Sequence, residues 1–172
     1  MRYYIDTEFN GTGGQLLSIA LVRQDGEHFY EVLHAHELVV PWVKEHVVPH
    51  YGQAPVERLQ VVKKLQKFLR KDAGPHVFIA DWPEDLAHFN MMLLRDHGRR
   101  NDPFQFACLL LNLDGFDTAL SSRLPHNALE DARALGDYVE RNLSGNIDDM
   151  DEADLALVRN ACAGFGPETG LA

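Results

Sequence analysis

The chain lacks any apolar stretch near the roughly 18 residues that a membrane-spanning helix needs. Its longest apolar cluster, Phe104 to Leu113, is short and interrupted. It also lacks a basic segment followed by an apolar one at its start, so no signal peptide is expected. These absences predict a cytoplasmic protein without a membrane partner. Cysteine is scarce: Cys108 and Cys162 are the only two. They match no C-x-x-C metal or redox spacing, and reduced core thiols are expected. Basic residues are few, 16 against 26 acidic, for a net charge of −10. That balance argues against binding nucleic acid by broad electrostatic attraction. It leaves room for clustered acids that hold cations and reverse the field locally. No G-x-x-x-x-G-K-[ST] is present, so Asn10-Gly11 is not a phosphate loop. No internal repeat or domain linker breaks the 172 residues. The expectation is one domain, residues 1–172, of which 144–172 form an acidic helical extension and tail.

The elements that remain alternate in character. Tyr3, Tyr4 and Ile5 predict a short buried central strand. Asn10 to Gly14 is a turn signal, Leu16 to Val22 a second strand, and Asp25-Gly26 a hairpin turn before a third strand at Phe29 to Leu33. A short helix is expected over Pro41 to His50. A longer one follows over Val56 to Lys71, with Val56, Leu59, Val62, Leu65 and Leu69 inward. Its other face carries Arg58, Lys63, Lys64, Lys67, Arg70 and Lys71, a solvated stripe or a landing surface for a phosphate backbone. His76 to Ala80 reads as a buried strand, followed by a helix from Asp85 to Gly98 with Leu86, Phe89, Leu93 and Leu94 inward. Helix–strand–helix order implies a strand parallel to the first. A fifth strand is expected within Phe104 to Leu111. The last long helix opens at Asn127, with Glu130 placed to close a capping box. Together these predict an α/β fold with a mixed five-stranded sheet, an antiparallel three-strand meander plus parallel strands, flanked by helices.

The polar residues at the ends of these elements carry the chemistry. Asp6 and Glu8 are separated by one residue on a strand, so both point to one face. Two such anions repel unless a cation lies between them, and their hard oxygens suit Mg²⁺ or Mn²⁺. Asp85 opens the helix after the fourth strand and can reach the same crevice. Asp131 lies near the start of the last helix, where the macrodipole favours a carboxylate, and His126 sits just before its N-cap. Each has an ordinary explanation alone: strand-end acids, an N-cap, a helix-start acid, a loop histidine. Together they make a set suited to two-metal phosphoryl transfer, in which acids hold two ions about 4 Å apart. A histidine with a pKa near 6.5 can take the proton of the attacking water.

In this order DTEF, WPEDLAHF and HNALEDA resemble the three motifs of the DEDDh 3′-to-5′ exonucleases. Over residues 2–143 the pattern is most similar to the RNase AS-type exoribonucleases of bacteria. The resemblance implies an RNase H-like fold, two Mg²⁺ or Mn²⁺ ions, and release of nucleoside 5′-monophosphates from the 3′ end of single-stranded RNA. It also implies a homodimer and a preference for adenylate-rich RNA. Carried over by position, Asp6, Glu8, Asp85 and Asp131 are metal ligands and His126 the general base. Glu8 and Phe9 face the substrate, with Phe9 stacking beside the terminal base. Trp82 lines the base pocket or packs in the core or a dimer contact. Asp81 stands where many members of the family carry asparagine, and rivals Asp85 for the ligand role. Alternatives are a DNA-trimming exonuclease of the same family and a catalytically silent module that binds RNA or protein.

Overall fold

The computed structural model describes residues 1–72, 74–94, 105–113 and 115–142. The extension at 144–172, with Cys162, and the expected loop at 98–103 lie outside these residues. β1 (Arg2–Phe9), β2 (Leu16–Arg23) and β3 (His28–Val32) form the antiparallel meander. β4 (His76–Ala80) and β5 (Phe106–Leu110) add in parallel on the other side of β1. The sheet is therefore mixed and five-stranded, in the order β3-β2-β1-β4-β5. β1 lies at its centre.

Strand alternation divides the core. Tyr3 and Ile5 face one layer, where they meet α2 (Arg58–Leu69) and α3 (Pro83–Met92) through Leu65, Phe68 and Phe89. Tyr4 faces the other layer and packs with Leu135 and Val139 of α5 (Ala128–Asn142). Ala20 and Val22 of β2 meet Ala128 and Ala132 of α5 on the same side. The helix comes unusually close there. A Cβ on the buried Gly136 would stand 2.8 Å from the Tyr4 ring, so only glycine allows this approach. Glu140, one turn on, accepts from Tyr4 Oη and from Arg2 Nε and Nη2, both of the latter at 3.0 Å. α5 is thereby pinned along the length of β1.

The shorter elements differ from their sequence signals for local reasons. The helix expected over residues 41–50 is α1 (Pro41–His46) followed by a 3₁₀ turn, Val48–His50, since Pro49 has no N–H to continue the ladder. α2 starts at Arg58 because Val56 is still extended, bridged to Leu33. Leu59 then falls in the first turn and is 63% exposed, not inward; Val61, Leu65 and Leu69 make the stripe. α4 (Thr118–Ser121) is capped by Asp117, which accepts from the Ala119 N–H at 2.8 Å. At α5, Asn127 accepts from the Glu130 N–H at 3.1 Å, whereas the Glu130 side chain pairs with Arg133. Half of the expected capping box forms. Cys108 is exposed on β5, a correction to the core thiol expected, because β5 buries neither face fully. No described helix is long and apolar enough to cross a membrane.

Candidate metal centre

Strand parity brings the acids together. β1 pairs with β4 only as far as Tyr4↔Ile79, so Asp6 to Phe9 run on past the parallel ladder into the crevice at its carboxyl end. Asp6 and Glu8 share the face of Tyr4, which is the face of α5. Opposite them on β2 stand only Ala20 and Ser18, small enough to leave space. Asp131 comes in from the first turn of α5. Oxygens of Asp6, Glu8 and Asp131 all lie within 4.8 Å of one another. Asp6 Oδ2 and Asp131 Oδ1 are buried and accept no hydrogen bond from the described residues. Three convergent carboxylates with orphaned buried oxygens fit a hard divalent cation, which needs such ligands and no donors.

Asp85 reaches the crevice by a different route. Thr7, between the two acids, points to the opposite face, toward α3. There Asp85, only 2% exposed, accepts from the Thr7 N–H at 3.0 Å and from Thr7 Oγ1 at 2.7 Å through one oxygen, Oδ1. It stands outside the three-acid cluster while lining the same cleft. Asp81, the rival, lines the same cleft without joining the cluster.

The electrostatics register the crowding. Burial holds the Asp6 carboxyl well above its usual range, and Asp85, Glu8, Asp131 and Asp81 add repulsion in that order. Glu8 is pushed up to about 8 by burial, then by Asp131 and Asp85. Asp85 rises to about 7 through burial, against the Thr7 hydroxyl, which favours its charged form. Asp131 rises to about 6, again through burial, with Ser122 and the His126 N–H acting against it. Asp81 is raised by burial. Anions so destabilised favour whatever supplies positive charge.

The cluster opens into a cleft of about 570 Å³ lined by Phe9, Trp42, Trp82, Thr118 and His126 among others. His126 takes a positive φ of 66°, which turns its backbone N–H onto Asp131 Oδ2 at 3.0 Å. Its ring meets the edge of Trp42 at 5.0 Å. Burial, then His46 and His50, lower its pKa, so the ring is a neutral base near pH 7. Phe9 lies against His88, ring centroids 5.3 Å apart. Trp82 is 55% exposed and stands on the cleft wall rather than in the core. The six basic residues from Arg58 to Lys71, on α2 and just past its end, do not line this cleft, and Lys64 and Lys71 pair with Glu31 and Glu27.

Three participants had no motif to announce them. Thr7 was legible only as the residue between two acids, although parity alone places it against α3. Glu84, which binds both Trp82 and Gly13, has no motif role although it is the neighbour of Asp85. Trp42 stacks on His46 with ring centroids 4.7 Å apart; their i, i+4 spacing was the available signal. No protein-family model matches the sequence, and no curated protein matches it.

Proposed function

We propose that the chain is a metal-dependent 3′-to-5′ exoribonuclease that releases nucleoside 5′-monophosphates from single-stranded RNA. The observation that carries this reading is the cluster of Asp6, Glu8 and Asp131 with its orphaned oxygens, set beside a neutral histidine in an aromatic-walled cleft. The sheet order supports the RNase H-like fold that the three motifs imply. Asp6, Glu8 and Asp131 would hold one Mg²⁺ or Mn²⁺. A second would draw on Asp6 and Asp85, which line the same cleft and of which Asp85 repels Asp6 most strongly. Bound there, such ions supply the positive charge that stabilises attacking and departing phosphoryl oxygens.

The chain's own residues do the rest. His126, held by its backbone bond to Asp131, takes a proton from the attacking water at its imidazole nitrogen. The new bond joins water oxygen to phosphorus, the bond from phosphorus to the 3′ oxygen breaks, and that oxygen takes a proton from solvent water to leave as a hydroxyl, while His126 returns its proton to solvent. Thr7 occupies one Asp85 oxygen, Oδ1, with two hydrogen bonds and so fixes the carboxylate in place. Phe9 offers a ring to the terminal base, and Trp82 and Trp42 offer rings further out. The homodimer and the adenylate preference belong to this proposal through the motif resemblance alone.

The test uses 5′-labelled single strands of each base, as RNA and as DNA, with Mg²⁺ or EDTA. A Mg²⁺-dependent ladder that shortens from the 3′ end of RNA, absent with Asp6→Ala and with His126→Ala, is the expected result. Equal degradation by those variants would sink the reading, and preferred cleavage of DNA would correct its substrate.

A further inference from the structure

The chain has two tryptophans. Both line the cleft, and both are more than half exposed, at 52% for Trp42 and 55% for Trp82. An indole left in water has apolar area to bury against something. Neither ring hangs loose. Trp42 has one side occupied by His46. Trp82 donates its Nε1–H to Glu84 Oε2 at 3.1 Å, and the second oxygen of that carboxylate accepts from the Gly13 N–H at 2.6 Å. Glu84 is thus used up on both oxygens, joining α3 and Trp82 to the turn between β1 and β2.

That turn is held at its other end too. Asn10 donates from Nδ2 to the Leu38 carbonyl at 3.0 Å and accepts at Oδ1 from the Val40 N–H at 2.9 Å. Leu38 and Val40 lead directly into α1, which carries Trp42. Gly13, at φ 72°, takes the backbone shape that presents its N–H to Glu84. The turn therefore ties the Trp42 wall to the Trp82 wall, and Glu84 is the link on the Trp82 side. With its only donor spent on Glu84, Trp82 has nothing left but ring faces.

We propose that Glu84 is a positioning residue that fixes Trp82 as a base-stacking platform, so that the cleft engages single-stranded polynucleotide through two tryptophans rather than through the terminal nucleotide alone. This rests on the exoribonuclease reading for the class of ligand. Stacking on ring faces tolerates any base, so this platform adds length of strand and not base choice.

The test puts Trp42→Phe into the chain, leaving Trp82 the sole tryptophan, and titrates oligoadenylate and oligouridylate in EDTA at pH 6, where nothing is cleaved. Quenching of Trp82 emission is expected. Glu84→Ala weakens binding roughly tenfold for both oligomers, a factor within the worth of one stacked base. Glu84→Gln, which keeps a single acceptor oxygen, falls between, and serves also if the alanine variant is unstable. In the chain with both tryptophans and Mg²⁺, Glu84→Ala raises KM by a similar factor and leaves kcat within about twofold, because the platform binds without touching the reacting atoms. Unchanged Trp82 emission, or equal dissociation constants across the Glu84 variants, overturns the proposal. A missing Mg²⁺-dependent ladder in the unaltered chain sinks the exonuclease reading separately, since the emission is read without metal or turnover.

Discussion

Replacing Glu8 by glutamine should stabilise the metal-free protein at pH 8 and leave it almost unchanged at pH 5. Glu8 titrates about 8 in the folded chain against an ordinary 4.5. The folded state therefore binds its proton more tightly than the unfolded chain does. Stability from this group is complete below about pH 4.5 and is lost as the pH rises through 8. At about 1.4 kcal/mol per tenfold change in proton affinity, the whole displacement would amount to roughly 5 kcal/mol. Glu8 is only half-buried, and solvent screening reduces the figure to about 2 kcal/mol. For a chain of this length that is about 4–8 °C in melting temperature. Calorimetry in EDTA at pH 5 and pH 8 reads it directly. Other groups move over the same range: His76, His88 and His126, lowered by burial, gain stability as the pH rises. The difference between variant and parent isolates the Glu8 contribution. Mg²⁺ or Mn²⁺ should raise the melting temperature of the parent at pH 8, more than at pH 5, and should do little for Glu8→Gln. A variant less stable than the parent in EDTA at pH 8 would refute the account of a strained, cation-seeking cluster.

Other perturbations reach the same site from different directions. Asp131→Asn should lower the calorimetric Mn²⁺ stoichiometry from two ions to one, since it removes one of the three convergent carboxylates and leaves the acids proposed for the second ion intact. His126→Ala should keep that isotherm while lowering kcat by roughly 10²–10⁴-fold, the usual share of a general base; loss of Mn²⁺ affinity instead would make the histidine a ligand. Thr7→Val should destabilise the fold by about 1–2 kcal/mol in urea melts, because Asp85 stays buried with one bond fewer. Gly136→Ala should destabilise by about 1–3 kcal/mol, the ordinary range for an overpacked contact, since the Tyr4 ring it would strike is itself buried and bonded to Glu140.

The strand pattern and the order of elements were readable because each depends on local rules, period two and cap chemistry, and the three acids that converge, Asp6, Glu8 and Asp131, stand at element ends. What escaped depends on distance in the fold. Asp85 and Asp131 both sit at helix starts, and nothing local says that one approaches β1 from the face of Thr7 and the other from the face of Glu8. Leu59 obeyed helical spacing, yet its helix began later because Val56 was drawn to Leu33. Glu84 gave no signal, since its partners, Trp82 at two residues and Gly13 at seventy-one, meet only once the β1–β2 turn folds against α3.

One strand serves two layers within three residues. Asp6 and Glu8 belong to the side of α5, and Thr7 between them is bonded to α3. Any force that draws the three clustered acids inward acts on the same peptide units that anchor Asp85. The two helical layers are therefore mechanically continuous through the end of β1, and the tightening of one acid cluster is felt on both sides of the sheet at once.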